Sequence, residues 1–172
     1  NKLKEQFKLG SVNTLKNYVG YMEDSWLVFT ASVYDFSLRR QQIAPKKVYA
    51  IDTGLAADVG FSFSPNTGRL MENLVFLALR RHTDDINYVR TAAGHEVDFY
   101  LPQTRTLIQV AQDISQPATL EREVRSLSEA ARELSIERCL VLTDANADAI
   151  HLGDVTIEVR ALAEWLLTGE HK

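Results

Sequence analysis

Apolar and polar positions along the chain change period several times, and each change marks an element. In residues 69–82, Leu70, Leu74, Leu77 and Ala78 recur along one helical face. Residues 86–90 read as a strand. Charged and apolar residues then alternate from Glu96 before Phe99, Tyr100 and Leu101. Leu107 to Gln112 alternates again, with β-branched Ile108 and Val110. Both stretches have the period of a strand, and residues 102–105 supply a turn between them. Pro117 and Thr119 open a helix to about Glu133, with Leu120, Val124, Leu127 and Ala131 apolar. Its Glu121, Arg122, Glu123, Arg125 and Glu129 suit a solvated face. Residues 138–142 form an apolar run suited to a strand buried on both faces. Residues 155–159 read as a last strand, and 161–167 as a closing helix that buries Trp165 and Leu166.

The first sixty residues have a different rhythm. Leu3 and Phe7 lie on one face of a short segment that ends at Gly10. Ser11 caps a second helix, in which Val12, Leu15, Val19 and Met22 recur at helical spacing. A short helix, a tight turn and a longer helix are the order of a helix-turn-helix. Residues 26–36 and 46–51 read as strands around a polar turn at Arg39 to Gln42. Helices followed by a β-hairpin are the order of a winged helix, with residues 36–46 as the wing. Pro65 and Gly68 mark the best linker. The expected organisation is a winged-helix-like subdomain at 1–60 and an α/β domain with a mixed sheet at 61–172.

Charge sharpens this division. The chain of 172 residues has net charge -4. Residues 1–60 hold 8 Lys or Arg against 6 Asp or Glu, whereas residues 61–172 hold 11 against 17. Any nucleic-acid contact is therefore expected in the first part. Asn13, Thr14, Lys16 and Asn17 on the second helix, with Lys46 and Lys47, are the candidate DNA-contacting residues. No run of about 18 apolar residues is present, so no membrane contact is expected. A single cysteine, Cys139, suits the cytoplasm. The start at Asn1 suggests a piece of a longer chain.

The candidate chemistry lies in the hairpin of residues 96–112. It brings Asp98 and Gln109 together on neighbouring strands. An acid and a second oxygen donor so placed suit a hard divalent cation. The arrangement resembles the core of the PD-(D/E)XK nucleases. That family has an acid on one strand, then an acid and a lysine two apart on the next. Asp98 matches the first acid, Gln109 stands at the second acid, and Ala111 stands at the lysine.

Four stretches carry a more specific resemblance: Ser11 to Tyr18, Pro45 to Leu55, Gly68 to Val75, and Gly94 to Phe99. Together they resemble the C-terminal region of unknown function of prokaryotic AAA-type ATPases. The resemblance implies an ATPase domain upstream, then a winged helix, then a nuclease-like domain. It implies Glu72 as a helix carboxylate beside Asp98. The plainer reading of Glu72 pairs it with Arg69 or Asn73. No Gly here is followed by Lys, so the chain has no P-loop, and ATP with magnesium is expected only upstream. With Gln109 and Ala111 in the reacting positions, no catalytic residue remains. The site is vestigial, and Asp98 is at most a weak metal ligand. Three readings follow: a non-catalytic module that contacts DNA or assembles its ATPase, a residual metal-dependent nuclease, and a purely protein-binding module.

Overall fold

A computed structural model describes residues 11–59, 67–145 and 148–169. The segment of residues 3–9, Gly10 and most of the expected linker lie outside them. Ser11 caps α1 (Val12–Asp24) by accepting from the Thr14 amide at 3.1 Å. Strand β1 (Val28–Val33) follows, then α2 (Leu38–Ile43) and β2 (Lys47–Ala50). The expected polar turn at Arg39 to Gln42 is therefore helical. Ser37 accepts from the Arg40 amide, and arginine and glutamine favour helix where no proline intervenes.

Helix α3 (Thr53–Val59) and α4 (Thr67–Arg80) lead into a meander of β3 (Asn87–Arg90), β4 (Glu96–Leu101) and β5 (Thr106–Val110). Then come α5 (Pro117–Leu134), β6 (Arg138–Thr143), the short β7 (Ile150–Leu152), β8 (Val155–Ala161) and α6 (Leu162–Thr168). All eight strands form one mixed sheet in the order β2-β1-β3-β4-β5-β6-β8-β7. The fold is a mixed α/β arrangement. Strands β1 and β2 belong to the first sixty residues, yet β1 pairs in parallel with β3 through Ser32–Asn87 and Val33–Tyr88. The division at residue 60 thus runs between strands of a single sheet.

Two cores lie on opposite faces of the sheet. On one face, Val75, Phe76 and Leu79 of α4 and Trp165 of α6 meet Phe99, Ile108 and Leu142. On the other, Val124, Leu127 and Ala131 of α5 meet Val97, Tyr100, Leu107, Val141 and Ile157. Strict alternation on β5 and β6 separates the two sets. Each fully buried large side chain contributes about 1.5–3 kcal/mol.

Strand β4 breaks that alternation. Asn87 faces Tyr100 and Val89 faces Val97, so two steps along β3 match three along β4. The extra residue is a β-bulge. Because of it, Val97 lies on the α5 face while Phe99 lies on the α4 face. At Ala50 the edge of β2 is closed by a side chain. The Asn73 amide, buried on α4, accepts from the Ala50 N–H at 2.8 Å and donates to the Ala50 carbonyl at 3.0 Å. It does for this residue what a neighbouring strand would do.

Candidate functional site

The bulge sends the Asp98 carboxylate to the α4 face, where a lysine meets it. Lys47 enters from β2, directly opposite Ala31 on β1, and its ammonium lies 5.7 Å from the centre of the Tyr88 ring. The small Ala31 beside it leaves room for this reach across the sheet. Lys47 Nζ stands 2.7 Å from Asp98 Oδ1, 3.0 Å from Glu72 Oε1 and 3.0 Å from Glu96 Oε1. The ammonium has three N–H donors, and three carboxylates surround it. Tyr49, two residues further along β2, donates its hydroxyl to Glu72 Oε1 at 2.8 Å. The Tyr49 ring stacks on Phe76, 4.1 Å between centroids, so the core fixes the hydroxyl.

Strands β4 and β5 part at this point. Their ladder runs from Leu101–Thr106 to Phe99–Ile108 and continues as side-chain bridges. Asp98 Oδ2 accepts from the Val110 amide at 3.0 Å, and Gln109 Oε1 accepts from the Asp98 amide at 3.1 Å. Each side chain takes the backbone donor of the opposite strand. Gln109 shares parity with Leu107 and so lies on the α5 side, where its Nε2 donates to Glu123 Oε2 at 2.8 Å. Glu123 is only 5% exposed, and its other oxygen accepts from Arg122. A residue expected on a solvated face is instead part of a buried polar chain.

Of the residues singled out from sequence, Glu72 and Asp98 are brought together on Lys47. Gln109 touches Asp98 through the backbone amide only, and its oxygen is committed there. Ala111 is buried, and its amide donates to the Leu142 carbonyl. Glu72 pairs with neither Arg69 nor Asn73. Asn13, Lys16, Asn17 and Lys46 are exposed, while Thr14 is half-buried and bonded to Ser11. Lys47, expected on the DNA-contacting surface, points inward. Its strand parity with the core residue Tyr49 was the available signal, and Lys47, Tyr49, Glu96 and Glu123 are the site members that sequence reasoning missed. Among the described residues, no group of three or more His, Cys, Asp and Glu is arranged to hold a metal.

Ionisation follows from this crowding. Burial works to lower the Lys47 pKa, but Asp98 and Glu72 together outweigh it and hold the ammonium charged well above its ordinary range. Asp98 is pushed up to about 6, first by burial and also by the negative Glu72, with Lys47 opposing. Tyr49 is raised by burial and by Glu72. The sign for Asp98 is that of a raised acid. Its contribution to stability is complete below the unfolded value, near 3.8, and is lost as pH rises through about 6. Carbon-13 NMR of the Asp98 carboxyl should show a midpoint near 6. Lys47→Met should move it higher still, since Lys47 is the group that lowers it; an unmoved midpoint would show that the ion pair is absent in solution.

The fold and this cluster define an α/β domain with an acid–lysine centre at the point where two strands part. Residues 67–162 match the model of a domain of unknown function, DUF4143. The chain is also 32% identical over 179 residues to an uncharacterized protein of Methanocaldococcus jannaschii, across 98% of this chain. The protein belongs to the DUF4143 family. It spans 39% of the length of that archaeal relative. No solved structure matches it.

Proposed function

We propose that this chain is the non-catalytic C-terminal module of a longer AAA-type ATPase, a platform for assembly whose nuclease-like centre is closed. The observation that carries this reading is the self-satisfied cluster. Lys47 takes up Glu72, Glu96 and Asp98, while Gln109 and Ala111 are turned to other uses. An attacking water would need a positioned base and an exposed metal, and the cluster offers neither. The greater length of the archaeal relative supports a further domain in the parent polypeptide.

The surface supports the assembly part. Among the described residues, 11 of the 14 exposed large hydrophobic side chains fall within residues 18–55. Phe36, Ile43, Leu38, Trp26 and Tyr21 are all more than 60% exposed. An apolar surface of that density marks a docking face. Lys16 and Lys46 lie on the same part of the chain, and they support weak DNA contact beside it.

A residual nuclease is the second reading. Lys47 favours it, because β2 returns a lysine to the side of Glu72 and Asp98. Incubation with supercoiled plasmid and magnesium or manganese separates the two. Under the closed-site reading the plasmid stays intact; metal-dependent nicking that vanishes in Asp98→Ala would replace that reading with the nuclease.

DNA contact is tested by retention on immobilised duplex at low salt. Lys16→Glu with Lys46→Glu should weaken retention and flatten its salt dependence by about two charges. Lys47 is left out of this test because it is a structural member of the cluster. Retention unchanged by the double reversal would remove DNA from the proposal and leave the docking face alone.

A further inference from the structure

We infer that Lys47 is the resident cation of this site. Its ammonium stands where the acids would otherwise gather around a divalent metal, and the site stays closed to metal while Lys47 is in place. The distances carry the assignment. Contacts of 2.7, 3.0 and 3.0 Å are those of an ammonium with carboxylate oxygens. Two of its N–H groups donate to Glu72 and Asp98, and Glu96 adds a third ion pair at 3.0 Å. Asp98 and Glu72 outweigh burial and favour its charged form.

The neighbouring groups hold this arrangement. From α4 comes Glu72, fixed by the Tyr49 hydroxyl. From β4 come Glu96 and Asp98, with the Val110 amide fixing the second Asp98 oxygen. From β3 comes the ring of Tyr88, and cations are attracted to such a face. The oxygen that a metal would next call upon, Gln109 Oε1, is committed to the Asp98 amide behind the strand. A divalent ion would therefore have to expel Lys47 and be held by the three acids alone. A tethered ammonium needs no free metal in the medium and competes with a divalent ion at a high effective concentration. The inference concerns the cluster alone and stands whether the outer surface docks protein or DNA.

The test is a titration with manganese, read by the electron paramagnetic resonance of the free ion. Wild-type protein should leave that signal as it is in buffer. Lys47→Met should take up one equivalent, and Lys47→Met with Glu72→Gln and Asp98→Asn should take up none. Circular dichroism checks that each variant is folded. Two results overturn the inference. One is uptake by the wild type that is lost in Glu72→Gln. The other is a folded Lys47→Met that binds no manganese. Should Lys47→Met fail to fold, the wild-type titration decides alone: uptake lost in Glu72→Gln refutes a resident lysine, and absence of uptake upholds it. Plasmid cleavage is scored separately, so a nuclease would sink the proposed function without bearing on which cation occupies the resting site.

Discussion

Lys47→Glu should destabilise the protein by roughly 3–5 kcal/mol, the cost of leaving buried charge without its partner. The substitution would set a fourth carboxylate among Glu72, Glu96 and Asp98, of which Asp98 and Glu72 are the more enclosed. A loss of that size is a large share of a domain's net stability. It should appear as a lower midpoint in urea unfolding at neutral pH. The deficit should shrink as pH falls toward about 6, because without Lys47 the Asp98 carboxyl takes up its proton at a higher pH than in the parent. Lys46→Glu is the control. Lys46 is its exposed neighbour, and its reversal should change stability by no more than about 0.5 kcal/mol. Equal effects at the two positions would mean that the Lys47 cluster does not form.

The second large effect concerns the attempt to restore a nuclease motif. Gln109→Glu with Ala111→Lys recreates the letters of the PD-(D/E)XK pattern, yet the double variant should neither cut DNA nor fold as well as the parent. Gln109 lies 2.8 Å from Glu123, which is buried with Arg122 on its other oxygen. A glutamate there would bring two buried carboxylates together, and one would have to take a proton. It would also lose the amide N–H that Glu123 accepts. Ala111 is 7% exposed, so a lysine there must be buried or push neighbouring residues aside. The combined loss should be on the order of 3 kcal/mol. Gln109→Leu, close in size and uncharged, should cost less than Gln109→Glu. A double variant as stable as the parent, with metal-dependent cleavage, would show that Gln109 and Ala111 face the acid cluster after all.

Much of the sheet was legible because its strands keep their period. The β4–β5 hairpin, α4, α5, β6 and α6 all fall close to where apolar spacing puts them. Strand β7 was not legible. It has three residues, two of them exposed, and it forms only because β8 offers an edge. Helix α2 was read as a turn because its six residues bury none of their side chains, so no apolar stripe announces it.

The site was half legible. The hairpin register brings Asp98 and Gln109 together, as a count along the strands predicts. The count fails on their faces, because it assumes alternation through β4. Glu72 was placed by resemblance, and its partner came from a strand 25 residues earlier in the chain. No local pattern connects β2 to β4 across two intervening strands. Lys47 did carry a clue, since it shares a side of its strand with Tyr49. The reading as a surface cation followed from its neighbour Lys46 and from the charge of the first sixty residues.

The extra residue in β4 has a consequence for how relatives of this chain are compared. A bulge acts as a parity bit. It leaves the letters His-Glu-Val-Asp-Phe untouched and changes which side of the sheet the aspartate serves. A chain with the same five letters and a plain β4 would aim its acid at the α5 side, toward the Gln109 amide and Glu123, and would turn Glu96 away with it, leaving Lys47 with Glu72 alone. Two sequences can therefore align without a gap through this motif and build different centres. The residue to inspect in each relative is then the one opposite Tyr88, since the step count between Val97 and Tyr100 decides the outcome.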